Sequence, residues 1–204
     1  MEKAQALVPA IEIVAVLASA FSGFAEARNK RMDPVGVFAI AFVTAFGGGT
    51  LRDLLLDRRP FFWVENHEYV VVILVLTLVA TPAMRLAQRI VPMTAFVVAD
   101  AIGLGFFSVS GSAVALSMGS PWIVAVILGV ITGVCGGILR DVILNEVPMV
   151  LRDGKPYALA AFAGCCLYLV MIASGAPESA ALWTSAALIV AIRLIAWRQD
   201  WSIL

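Results

Sequence analysis

Gly48-Gly49-Thr50-Leu51-Arg52-Asp53 and Gly136-Gly137-Ile138-Leu139-Arg140-Asp141 are nearly the same block written twice, 88 residues apart (136 − 48), each inside a long apolar run. Held without a gap, that offset also pairs Ser22-Gly23 with Ser110-Gly111, Thr44 with Thr132, Leu56 with Leu144, Pro60 with Pro148 and Tyr69 with Tyr157. It sets Glu12 opposite Asp100, an acid opposite an acid. Across Glu12–Pro60, twelve of 49 aligned positions are identical. A duplicated unit that buries glycines and charges in apolar runs is the sequence sign of a pathway through a bilayer.

Composition agrees. Hydrophobic residues make up 62% of the chain and charged residues only 14%, where a soluble domain carries about 25%. Mean hydropathy is +0.98. Basic and acidic residues balance at 14 each, which gives no reason to propose a nucleic-acid partner. Cys135, Cys165 and Cys166 lie in apolar stretches at no metal-ligand spacing and read as small buried hydrophobes.

Seven apolar segments follow: Ala6–Phe24, Val35–Leu56, Tyr69–Ala87, Met93–Met118, Trp122–Leu144, Tyr157–Ser174 and Ala180–Trp197. Each is close to the roughly 20 residues that an α-helix needs to cross hydrocarbon. The expected fold is an all-α membrane protein, one transmembrane domain over 1–204. Repeat 1 covers 6–88, repeat 2 covers 93–176, and an extra helix covers 179–198. Lys3, the following apolar run and Ala18-Ser19-Ala20 imitate a cleavable signal peptide. The segment aligns with an internal span, however, so it reads as the first helix of the mature protein.

A repeat of three spans inverts its second copy, which makes the architecture 3+3 inverted plus a seventh helix. Basic residues orient it. The loops after the first, third and fifth spans, with the C-terminal end, hold Arg28, Lys30, Arg31, Arg85, Arg89, Arg152, Lys155 and Arg198. The other side holds only Lys3, Arg58 and Arg59. The N-terminus is therefore expected outside and the C-terminus in the cytoplasm.

Gly47-Gly48-Gly49 and Gly136-Gly137 sit well inside spans, where each glycine costs about 1 kcal/mol relative to alanine. One reading is a helix break lining a cavity. The other is close packing along Ala41-Ala45-Gly49 and Gly129-Gly133-Gly137. Charges follow both glycine runs at once: Arg52-Asp53 and Arg140-Asp141, with Glu12 and Asp100 in the first and fourth spans. Ionisable residues inside a span are functional candidates that seek partners. Matched by depth, Glu12 is expected to meet Arg52, and Asp100 to meet Arg140, as part of a pathway or as structural ion pairs. Asp53 and Asp141 suit the positive start of a second half-helix. These charges leave cation channel and small-solute carrier both open.

His67 sits between Glu65 and Glu68 in a loop and reads as solvated. No nucleophile–base constellation, phosphate loop or metal spacing occurs, so the chain is read as no enzyme and as holding no metal or cofactor.

With the doubled block inside seven short spans, the chain resembles the trimeric intracellular cation channel family in its prokaryotic form, from Ala6 to Trp197. The same domain occurs in sequences described as glycine transporters. The resemblance implies a multi-pass protein of the prokaryotic plasma membrane, a homotrimer in contact with membrane lipids. Each protomer would hold its own pore for potassium and sodium, lined by glycine-kinked second and fifth helices, with Gly47, Gly48, Gly49, Thr50, Gly136 and Gly137 at the breaks. Ser117–Trp122 lacks the basic residue found in the lipid-contacting segment of animal members. Small faces at Ala15-Ser19-Gly23 and Gly111-Ala115-Gly119 are expected to serve neighbouring protomers.

The orientation has a direct check. A reporter fused to the C-terminus should be active in the cytoplasm and silent in the periplasm; periplasmic activity alone would overturn the assignment.

Overall fold

The computed structural model describes residues 7–86, 91–152, 154 and 156–201. Among them are nine helices and no strand: α1 Leu7–Asn29, α2 Pro34–Leu55, α3 Phe62–Glu65, α4 His67–Leu86, α5 Met93–Ser117, α6 Trp122–Ile143, α7 Met149–Arg152, α8 Ala158–Ala173 and α9 Glu178–Arg198. Four of these, α2, α5, α6 and α9, are long and apolar enough to cross a membrane, while α4 and α8 supply shorter apolar stretches. Lys3, Arg89 and Lys155, used above to set orientation, lie outside the described residues.

The helix ends follow from local chemistry. α2 starts where the Asp33 side chain accepts the Gly36 amide at 2.7 Å, with Pro34 as its first residue, the arrangement that best satisfies an N-terminus. α2 and α6 stop in the same way. Asp57 and Asn145, again 88 apart, both take positive φ, 51° and 56°. Beyond them, the amides of Arg58 and Glu146 return to the carbonyls of Asp53 and Asp141 at 2.8 and 2.9 Å, closing the last turn as a Schellman motif does. α1 runs five residues past the expected Phe24, because Ala25 and Ala27 stay fully buried to its end.

Apolar side chains fill the core, among them Ile11, Ile40, Phe46 and Leu104, but they also cover the outside, as they do not in a soluble protein. Val71, Val75, Leu76 and Val79 of α4, Trp122 and Ile127 of α6, and Val170 of α8 face outward. Glu12, Arg52, Asp53, Asp100, Arg140, Asp141 and Arg193 are buried, together with Ser22, Ser108, Ser110 and Ser112. In lipid the apolar surface has no reason to hide, and helices associate through close packing and hydrogen bonds. α5 lies at the centre, packed on α1, α6, α8 and α9, while α1 packs on α2 and α2 on α6.

Glycine makes the α2–α6 crossing possible. A Cβ on Gly48 would collide with the Thr132 carbonyl oxygen, and one on Gly136 with that of Thr44. Residue 48 thus meets 132 while 136 meets 44, so the two helices run antiparallel. Both helices continue without interruption through Gly47–Gly49 and Gly136-Gly137. The expected helix breaks are therefore corrected: in hydrocarbon, a continuous helix keeps its backbone paired, and the paired glycines allow backbone contact instead. The small faces of α1 and α5 need a similar correction. Ala15, Ser19, Gly23, Gly111 and Ala115 are buried inside the protomer, and of these two faces only Gly119 is exposed. Gly23 lies against Ala41, Gly111 against Gly129, and Ser19 against Gly103, so these faces are not left over for neighbours.

The two kinds of glycine should respond differently to alanine. At Gly48 and Gly136 the added methyl meets backbone and should cost about 1–3 kcal/mol. At Gly49 it meets only Arg52 Nη2 at 3.9 Å, and at Gly137 nothing nearer than 3.5 Å, so these variants should melt no lower than wild type. Thermal midpoints in detergent give the test. Equal losses at all four positions would refute the distinction.

Candidate functional site

Two charge clusters sit at opposite ends of the antiparallel α2–α6 pair. In the first, Arg52 Nη1 donates to Glu12 Oε1 at 3.3 Å and Nε donates to Asp53 Oδ1 at 2.9 Å. In the second, Arg140 Nη1 donates to Asp100 Oδ1 at 3.0 Å and Nε to Asp141 Oδ1 at 2.8 Å. Both arginines are 1% exposed. The structure thus brings together the pairs expected from depth, Glu12 with Arg52 and Asp100 with Arg140. A guanidinium suits this task because its fixed fork serves two carboxylates and it does not lose its proton.

Each cluster draws a serine from the other repeat. Ser110 Oγ donates to Glu12 Oε1 at 2.9 Å, while Ser22 accepts from Arg140 Nη1 at 2.7 Å and donates to Asp100 Oδ1 at 3.4 Å. Sequence reasoning assigned these serines no role, although Ser22-Gly23 and Ser110-Gly111 stand in the repeat alignment. Contacts between helices are encoded by neither composition nor periodicity.

The aspartates do something else than expected. Asp53 Oδ2 accepts the amide of Phe62, first residue of α3, at 2.8 Å, and Asp141 Oδ2 accepts that of Met149, first residue of α7, at 2.9 Å. Each carboxylate therefore closes a short helix that folds back after its span, not a second half of the span itself. Thr50 Oγ1 bonds the Phe46 carbonyl of its own helix at 2.8 Å. A Cβ on Gly49 would touch Arg52 Nη2 at 3.9 Å and one on Gly137 would touch the Tyr157 hydroxyl and Arg140 Nη2 at 3.5 and 3.8 Å, whereas a Cβ on Gly47 would lie 2.8 Å from Leu139 Cδ1.

The clusters differ at their margins. Arg58, side chain 30% exposed, approaches Asp53 Oδ1 at 3.7 Å. At the other end Tyr157 donates its hydroxyl to Asp100 Oδ2 at 2.9 Å, and the Arg193 guanidinium lies 4.3 Å from the Tyr157 ring centre. On the surface at that end, Lys30 pairs with Glu146, whose hydrogen bond raises the lysine pKa. His67 is exposed, with Nδ1 3.9 Å from Glu68.

Breaking a buried pair strands a charge, at about 3–5 kcal/mol. Arg52→Met and Arg140→Met should therefore each lower the melting midpoint sharply. Ser110→Ala, which leaves the charges paired, should lose about 1 kcal/mol. Melting of either methionine variant at the wild-type midpoint would show that the pair is dispensable.

A family model described as glycine transporter matches twice, over residues 9–85 and 97–173, again 88 apart. A UPF0126 membrane protein of Vibrio cholerae is 40% identical over 95% of this chain and 80% of its own length. The UPF0126 inner membrane protein YadS of Escherichia coli K12 is 42% identical over 76% of this chain and 73% of its own. Among solved structures, the TRIC trimeric intracellular cation channel orthologue from Rhodobacter sphaeroides superposes with a TM-score of 0.86 at 32% identity, covering 96% and 99% of the two chains. A structure from work on conductance through TRIC cation channels gives 0.84 at 33%, covering 96% and 95%. The chain belongs to the family of the glycine transporter model and the UPF0126 membrane proteins, and it has the TRIC-channel fold.

Proposed function

We propose that this protein is a monovalent cation channel, passing potassium and sodium through a pore in each protomer of a homotrimer. α2 and α6 line that pore, with Gly49, Gly137 and Thr50 on its wall and Glu12, Arg52, Asp53, Asp100, Arg140 and Asp141 at its two ends. In this reading α1, α2 and α4 form one three-span repeat, α5, α6 and α8 its inverted copy, and α9 the seventh span. The protein sits in the prokaryotic plasma membrane, N-terminus outside.

One observation carries the proposal. Two buried clusters, each an arginine held by two carboxylates, mark opposite ends of one antiparallel helix pair, in a chain that superposes on cation channels along nearly its whole length. With each arginine neutralised, the carboxylates leave no excess positive charge to repel a cation. The antiparallel crossing supports the inversion, and closed rings are the common outcome for identical subunits.

A carrier of a small amino acid such as glycine is the second reading, favoured by the description of the matching family model and by a duplicated scaffold suited to alternating access. Purified protein in a planar bilayer separates the two. The channel predicts discrete unitary potassium currents. Electrical silence with exchange of labelled glycine in liposomes would replace it with the carrier.

A further inference from the structure

The two ends of the duplicated scaffold are not in the same state. At one, Tyr157 is 5% exposed and its hydroxyl donates to Asp100 Oδ2 at 2.9 Å. That hydroxyl would lie 3.5 Å from a Cβ on Gly137. The crevice it shares with Gly137, Arg140, Asp141 and Met149 is too narrow for a water molecule. At the other end, the equivalent Tyr69 is only half-buried. Its ring packs on Phe62 at 6.1 Å between centres, and among the described residues no hydrogen bond joins its hydroxyl to a carboxylate. A Cβ on the equivalent Gly49 would meet only Arg52 Nη2, at 3.9 Å. One tyrosine hydroxyl lies against its glycine, and the other tyrosine does not reach the equivalent position.

The difference comes from α9, which has no counterpart in the first repeat. Arg193, 3% exposed, lays its guanidinium 4.3 Å from the Tyr157 ring centre, and its Nε has no hydrogen-bond partner among the described residues. Among the described residues the guanidinium lies against the face of this ring, where a desolvated cation is strongly held. α9 is seated there by backbone-close contacts, Gly105 against Ala186 and Gly164 against Ile189.

We propose that Arg193 is a positioning residue that holds Tyr157 on Asp100, so that the Tyr157–Asp100 contact is a latch closing the Lys30–Glu146 end and α9 is the element that biases the duplicated scaffold toward closure there. The consequence for ion flow rests on the channel reading; the closure itself does not.

Two readouts on the full-length protein in liposomes keep these apart. The first is thiol labelling of Gly137→Cys, in a background with Cys135, Cys165 and Cys166 replaced by alanine, using a membrane-impermeant reagent admitted to the Lys30–Glu146 side. Tyr157→Phe and Arg193→Gln should each speed labelling by roughly threefold to tenfold, the loss of one hydrogen bond or its support. The double variant should be no faster than Tyr157→Phe, since Arg193 acts through the tyrosine. Arg193→Lys, whose ammonium also sits over a ring, should largely restore the wild-type rate, and Tyr69→Phe should change nothing. The second readout is single-channel recording, where the same variants should raise open probability and leave unitary conductance unchanged. Unchanged labelling in both single variants, or full additivity in the double, would overturn the latch. Accelerated labelling in a protein that carries no potassium current would uphold the latch and reject the channel.

Discussion

A guanidinium keeps its proton wherever it is placed, so an arginine inside hydrocarbon obliges its surroundings to supply counter-charge and acceptors. Arg52 and Arg140 impose that obligation at the two ends of one helix pair. Meeting it determines much else: α1 must present Glu12 and α5 must present Asp100 at matching depth. The neighbouring aspartates must turn inward, and once there, their second oxygens are free to start α3 and α7. Without the arginines, each end would be left with two buried carboxylates facing one another across a low dielectric.

Glycine is what lets the charges meet. Ion pairs near 3 Å demand that the helices carrying them lie close, and the backbone contacts at Gly48 and Gly136 set that separation. Threonine refines it: Thr44 and Thr132 return their hydroxyls to the Ile40 and Leu128 carbonyls of their own helices at 2.7 and 2.6 Å. That leaves their side chains self-satisfied at a contact where a free hydroxyl would be costly. Packing and electrostatics are therefore one problem here, solved twice with the same residues.

Depth was legible in the sequence. Glu12 lies two turns from the start of its span and Arg52 one turn from the end of the next, and adjacent spans run in opposite directions, so their meeting follows from counting. Partner identity beyond the repeat was not. Ala15-Ser19-Gly23 shows a small-residue period without saying which helix it touches, and the touching helices prove to be α2 and α5 of the same protomer. The glycine pairs were ambiguous for a physical reason: poor helix propensity and permission for close approach are two effects of one missing Cβ. The capping of α3 and α7 was hidden because any amide can answer a carboxylate, and Phe62 and Met149 offer only their backbone.

The serine exchange between repeats has a consequence for how the protein is made. Glu12 is followed by Arg52 after 40 residues but by Ser110 only after 98. At roughly 5–20 residues per second, translation delivers that serine about 5–20 s after the acid. For that interval the first repeat carries a half-satisfied carboxylate in or beside the bilayer, and the hydrogen bond that completes it comes from the second repeat. The first half is thus chemically finished only by the insertion of the second, which gives the insertion machinery a reason to retain both together.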